Sequence, residues 1–160
     1  MNTRPIDETI QNAYKINRLI LDVLTPTLQN WLKKKVSIYT KNVWIDIIYS
    51  NDRSLFSMKK IIVEYFDRYQ KYPNDFKLFD ITSCVAIARN ILKIQPKHGW
   101  LQKYSDIKID NFEEGDALNY ARLIRNQFYG SKIEFKVETG EFNLFIEQLN
   151  NFFDKLGFRV

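Results

Sequence analysis

The sequence predicts an all-α protein, an up-and-down helical bundle of five to seven helices, and three observations carry that expectation. Apolar residues recur every three or four positions through most of the chain, the spacing of one face of an α-helix. Five Gly and four Pro in 160 residues are too few for an all-β fold with a tight turn at every tenth residue. Apolar residues make up 45% and charged residues 27%, the balance of an ordinary globular protein. A chain of this length buries roughly 70% of the surface it exposes when unfolded. Residues 1–160 are therefore expected to form one domain around one core.

The elements follow in order. Ile6, Ile10, Ala13, Ile16, Ile20 and Leu24 form one stripe of a first helix. Thr25-Pro26 then has two readings: an N-cap with Pro at the first position of a new helix, or a kink within one long helix. The second stripe carries Leu28, Trp31, Leu32, Val36 and Tyr39. The run 43–49 (VWIDIIY) fits helix or strand by pattern, and its helical neighbours favour helix. After a polar break at 50–54, the stretch 56–69 sets Ile61, Ile62, Tyr65, Phe66 and Tyr69 against Lys59, Lys60, Glu64 and Arg68 on the other side. A turn at 72–75 offers Asp75 as an N-cap, with Asp80 left as a surface or pairing residue. The stretch 76–94 is apolar on nearly all sides and should be the central buried helix. Asn111 with Glu114 has capping-box spacing, and Glu113, Glu114 and Asp116 suit a helix start. Ala117, Ala121, Ile124 and Phe128 continue that helix to Gly130. Residues 131–137 alternate weakly and suggest an extended segment. Thr139 is the expected cap of a last helix bearing Phe142, Phe145, Ile146, Leu149, Phe152, Phe153 and Leu156. Gly157 should end it in a left-handed Schellman turn.

Composition excludes several function classes. One cysteine cannot form an internal disulfide or a cysteine-rich zinc site, and one histidine cannot supply two imidazoles. There is no P-loop, no Gly-rich dinucleotide motif, no EF-hand loop and no H-E-x-x-H helix, so no cofactor, no metal and no small-molecule substrate are expected. The longest apolar runs, such as 44–49, are far too short to span a bilayer, so no membrane insertion is expected. The first ten residues, MNTRPIDETI, have no apolar core of a secretory signal, and the expected setting is intracellular. Net charge is +5, which permits an anionic partner without demanding one.

Single residues narrow the field. His98 sits in a basic turn with no nearby carboxylate to orient it, the pattern of a solvated loop histidine. Cys84 lies in ITSCVAIA and reads as a small core residue. Lys33, Lys34 and Lys35 spread around a helix as a solvated face. Arg89-Asn90 and Arg125-Asn126 each place a guanidinium on an otherwise apolar helix, where it needs a carboxylate, a set of carbonyls or an external anion. Arg122, Arg125 and Tyr129 share one side of their helix, with Asn126 and Lys132 flanking. Such a set can hold a phosphodiester and stack a base, so these five are the candidate RNA-binding residues. The competing reading pairs a buried Arg with an internal carboxylate such as Asp46 or Asp80.

At Arg125-Asn126 the chain resembles the HEPN superfamily (higher eukaryotes and prokaryotes nucleotide-binding). It is most similar to the HEPN domain at the C-terminus of PIN-domain endoribonucleases of nuclear mRNA quality control. The likeness lies in 21–35 (LDVLTPTLQNWLKKK) leading to Asn42-Val43-Trp44, then 79–92 (FDITSCVAIARNIL), 116–130 (DALNYARLIRNQFYG) and 142–157. Together these span about residues 20–157, and their order with the Leu-Ile-Arg-Asn step carries more than any one segment. The resemblance implies a bundle that often dimerises and a site at the end of the Arg-Asn helix. It also implies a module excised from a longer nuclease chain, hence a nuclease domain in the same polypeptide and a nuclear location.

In active members an Arg, a polar residue and a His four to six positions on act together at one phosphate, the His promoting 2′-hydroxyl attack and the Arg stabilising the phosphorane. Here Arg125 and Asn126 match, but the His window holds Gly130, Ser131 and Lys132. Tyr129 and Lys132 titrate too high to serve easily as a base at neutral pH. The expectation is therefore a catalytically degenerate HEPN module, with no catalytic residue of its own, that dimerises or docks and holds RNA beside a nuclease in mRNA surveillance. Two alternatives stand: an active metal-independent endoribonuclease, and an interaction adaptor with no RNA role. Three Trp, nine Tyr and twelve Phe supply aromatic surface for the adaptor.

Overall fold

A computed structural model describes residues 7–39, 43–73, 76–103, 106–107, 112–128 and 136–157. Asp7 starts α1 (Glu8–Leu19): its Oδ1 accepts the amide of Thr9 at 3.0 Å. Instead of ending at Thr25-Pro26, the helix passes through one π-helical turn (Ile20–Leu24) into α2 (Thr25–Tyr39), so the single long helix is the reading of Pro26 that holds. Proline has no N–H, and its ring crowds the carbonyl four residues back, so the regular ladder cannot cross this point. The widened turn answers that problem. The Thr25 amide bonds the Ile20 carbonyl five residues back, and the Thr25 hydroxyl donates to the same oxygen at 2.7 Å. Ile16, Ile20, Leu24, Leu28 and Leu32 are all wholly buried at a strict four-residue spacing. Four residues overshoot a 3.6-residue turn, and the extra residue of the π turn takes back part of that drift.

Helix α3 (Val43–Tyr49) is helical as its neighbours suggest, and it buries Val43 and Ile47. Trp44 packs its ring against Phe76 and Phe79, with centroids at 5.4 and 5.9 Å. A 3₁₀ turn (Arg53–Leu55), capped by Asp52, leads into α4 (Phe56–Tyr69). The apolar side of α4 is rotated from the expected one. Met58 and Ile62 are buried and Tyr65 and Phe66 half-buried, whereas Ile61 and Tyr69 are exposed. The cause is position: α4 packs on α3 at the edge of the molecule and has only one narrow face to bury.

The central stretch is shorter than the pattern suggests. A 3₁₀ turn (Phe76–Leu78) precedes α5 (Ile81–Asn90), which buries Ile81 and every residue from Cys84 to Ala88. Asp80, read as a surface or pairing residue, is the N-cap, its Oδ1 accepting the Ser83 amide at 2.8 Å. Asp75 lies outside the described residues, as do Asn111 and Gly130. Helix α6 (Glu114–Phe128) is the true centre: it lies between α5 and α7 and is buried on all sides from Gly115 to Ala121. Tyr120, wholly buried there, donates its hydroxyl to the Phe145 carbonyl at 3.2 Å.

Helix α7 (Thr139–Leu156) buries Phe145, Leu149, Phe152 and Leu156 against α6 and the α1–α2 helix. Two expectations about its ends are corrected. Thr139 is the first helical residue rather than the cap: Glu138 holds the extended cap position, and the Thr139 hydroxyl donates to Glu8 Oε1. Gly157 is extended (φ −74°), not left-handed, so no Schellman turn forms there. Its value is space, because a Cβ would stand 2.5 Å from the Phe153 carbonyl oxygen. Of the segment 131–137, residues 131–135 lie outside the description; the Val137 amide donates to the Thr9 carbonyl and ties the segment to α1. The described residues form one helical bundle, and none of their helices is long and apolar enough to cross a membrane.

Candidate functional site

Helix α6 carries a polar row that its apolar neighbours hide in the sequence. Asp116, Asn119 and Arg122 recur every third residue and hold the loop at 98–101. Asp116 Oδ1 accepts the His98 amide at 3.1 Å while Oδ2 accepts the Glu113 amide at 2.9 Å, so one buried carboxylate serves both the loop and the helix start. Asn119 Nδ2 donates to the Gly99 carbonyl at 3.2 Å. Arg122 Nη2 donates to the Leu101 carbonyl at 2.6 Å and to Asn119 Oδ1 at 2.9 Å. Arg122 is therefore held by carbonyl oxygens, one of the three outcomes open to a guanidinium on this helix. The spacing D-x-x-N-x-x-R was the readable signal, but a row that faces a loop looks in sequence like one that faces water.

Arg125 has different neighbours. It is half-buried and lines a cleft of about 90 Å³ with Ile20 and Leu21 of the π turn, Thr25 at the start of α2, and Asp80 and Ile81 at the start of α5. Asn126 beside it is exposed. Arg122 and Arg125 thus stand on one helix, but Arg122 does not line the Arg125 cleft. Tyr129 and Lys132 lie outside the described residues. Of the two carboxylates named as internal partners, Asp80 shares the Arg125 cleft while capping α5, and Asp46 is exposed on α3.

His98 is half-buried rather than fully solvated, and Asp116 anchors its backbone beside the first turn of α6. Arg125 lies nine residues further along that helix, about 13 Å of helical rise. Cys84 is wholly buried, and burial pushes its thiol far above the ordinary range, which leaves it an inert core residue. Lys33 and Lys34 are exposed as expected, whereas Lys35 is half-buried and pairs with Glu114 at 3.0 Å. Among the described residues no group of three or more His, Cys, Asp or Glu could hold a metal ion.

The outer side of α1 exposes two large apolar residues, Ile10 and Tyr14, one turn apart, Tyr14 being 68% exposed. Leu21 of the π turn is exposed as well and lines the Arg125 cleft, with Arg18, paired to Asp22, between it and Tyr14. Comparison with protein-family models, curated proteins and solved structures returned no match.

Proposed function

We propose that this chain is a non-cleaving helical module of HEPN type that holds single-stranded RNA at the Arg125–Asn126 edge of α6 and docks, as a dimer or on a partner, through the outer face of α1. It would serve beside a nuclease housed in the same polypeptide or in a partner, in the nuclear mRNA surveillance that the resemblance implies. One observation carries the reading: Arg125 lines a cleft with the exposed Asn126 next to it, while the chain's single histidine is anchored at the other end of α6. A guanidinium grips phosphate oxygens through a planar fork, and an adjacent amide can bond a base edge. Cleavage needs in addition a group that titrates near neutrality within reach of the same phosphate. Ile10 and Tyr14, exposed on α1, and Leu21, exposed at the rim of the cleft, support the docking part.

The test is RNA affinity as a function of salt, in EDTA. Each phosphate contact to a single strand contributes about −0.7 to the slope of log affinity against log salt. Affinity should fall steeply with salt, and Arg125→Ala should weaken it several-fold with the RNA left intact. Affinity indifferent to both salt and Arg125 would remove the RNA role and leave the adaptor. Metal-independent cleavage lost on Arg125→Ala would establish the active ribonuclease instead.

A further inference from the structure

A second cationic group lies one turn away from Arg125, built from two helices. Arg89 of α5 and Arg122 of α6 meet on the same indole: their Cζ atoms lie 4.6 and 5.5 Å from the Trp100 ring centroid. Cation–π attraction to one ring accounts for each contact singly, but the pair brings two like charges together. Among the described residues Arg122 is held through Nη2, and its buried Nε has no hydrogen-bond partner. Arg89 is exposed and makes no ion pair or hydrogen bond among the described residues. The carboxylate its field reaches is that of Asp52, which already accepts from Ser54 and also feels Lys93. Burial and the Arg89 charge both lower the pKa of Arg122, and among the described residues no carboxylate pairs with either guanidinium.

The ring under this pair is tied to its surroundings. Trp100 Nε1 donates to Gln95 Oε1 at 2.9 Å, and the Asp116–Asn119–Arg122 row fastens the residues on either side of the indole. Two planar donors over one ring, Arg122 held by carbonyl oxygens and Arg89 exposed, with no carboxylate bonded to either among the described residues, suit a group with several acceptor oxygens at one point, which is the chemistry of a phosphate. The exposed guanidinium of Arg89 also offers a plane on which a base can stack.

We propose that Arg89 and Arg122, carried on Trp100, form a second phosphate contact for an RNA strand that also meets Arg125. The RNA source rests on the function proposed above, because Arg122 stands one turn from Arg125 on the same helix. A free mononucleotide or inorganic phosphate offers the same oxygens, and the experiment separates these from RNA. Arg89 is the position to change, since Arg122→Ala would also release Leu101 and disturb the loop.

The full chain, ¹⁵N-labelled, is titrated with a single-stranded RNA oligonucleotide, with AMP and with inorganic phosphate, following the Trp100 indole N–H, assigned through Trp100→Phe. RNA should shift this signal. Arg89→Ala should weaken RNA binding by roughly threefold to tenfold and reduce the salt slope by about 0.7. Arg89→Lys should keep the slope and lose part of the affinity, since the charge remains and the fork is gone. An Arg89→Ala variant that binds RNA like the parent, while Arg125→Ala does not, overturns this contact and leaves the Arg125 reading standing. If RNA does not bind at all, that reading fails. In that case an indole shift with AMP or phosphate, abolished by Arg89→Ala, keeps the phosphate site and overturns its RNA source. No shift with any of the three overturns the proposal outright.

Discussion

Gly115→Ala is expected to lower the melting temperature by about 6–12 °C. A Cβ at residue 115 would stand 2.0 Å from the Gln95 carbonyl oxygen, 2.4 Å from its carbon and 2.6 Å from the Pro96 nitrogen. All three are backbone atoms, so no side chain can swing aside to make room. The first turn of α6 would have to move off residues 95–96, and with it Asp116, which holds the His98 amide. Overpacking of this kind costs about 3 kcal/mol or more, and for a domain of this size each kcal/mol moves the melting point by about 2–4 °C. Thermal unfolding followed by far-ultraviolet circular dichroism measures the shift. A melting point unchanged by the extra methyl would mean that α6 does not start against this loop.

Asp116→Ala should cost about 3 kcal/mol. The side chain is 3% exposed and accepts two backbone N–H groups, those of His98 and Glu113. Hydrogen bonds to a charged acceptor contribute about 1.5–3 kcal/mol each, and the two losses do not add fully because they share one carboxylate. Denaturant unfolding gives the total, and amide hydrogen exchange assigns it, with His98 and Glu113 losing protection first. Asp116→Asn, which keeps one acceptor oxygen, should lose less. Equal stability of the Ala variant and the parent would show that the row on α6 does not fasten the loop.

What the sequence made legible is what depends on periodicity. The stripe Ile16, Ile20, Leu24, Leu28 and Leu32 is the core face of the first long helix, and Phe145, Leu149, Phe152 and Leu156 are that of the last. Cys84 was readable as core because its neighbours are apolar on both sides. Features that depend on which elements meet were not legible. Gly115 appears as one more residue in an acidic helix start until Gln95 is placed against it. Asp80 and Asp75 are equally good caps by type, and the 3₁₀ turn at Phe76–Leu78 decides that α5 begins at Ile81. Pro26 signals a break in the ladder but not whether a new helix or a widened turn repairs it.

The candidate site divides in the same way. Arg125 and Asn126 are found from the helix pattern and the motif they resemble, and the cleft beside Arg125 comes from the approach of the π turn and α5. Arg122 was grouped with them on spacing alone. Its guanidinium instead turns to Leu101 and Trp100, because a loop that no pattern predicts passes over that side of α6. Arg89 is 33 positions from Arg122 in the chain, and only the pairing of α5 with α6 brings both to one ring.

The most direct measurement maps single-stranded RNA onto the ¹⁵N-labelled chain in EDTA and recovers the RNA afterwards. The largest amide shifts should fall on residues 122–128 of α6 and on Leu21 and Ile81 at the rim of the cleft, with the RNA recovered uncut. Shifts confined to α3 and α4, or RNA cut by the parent chain and spared by Arg125→Ala, would contradict a module that holds RNA without cleaving it.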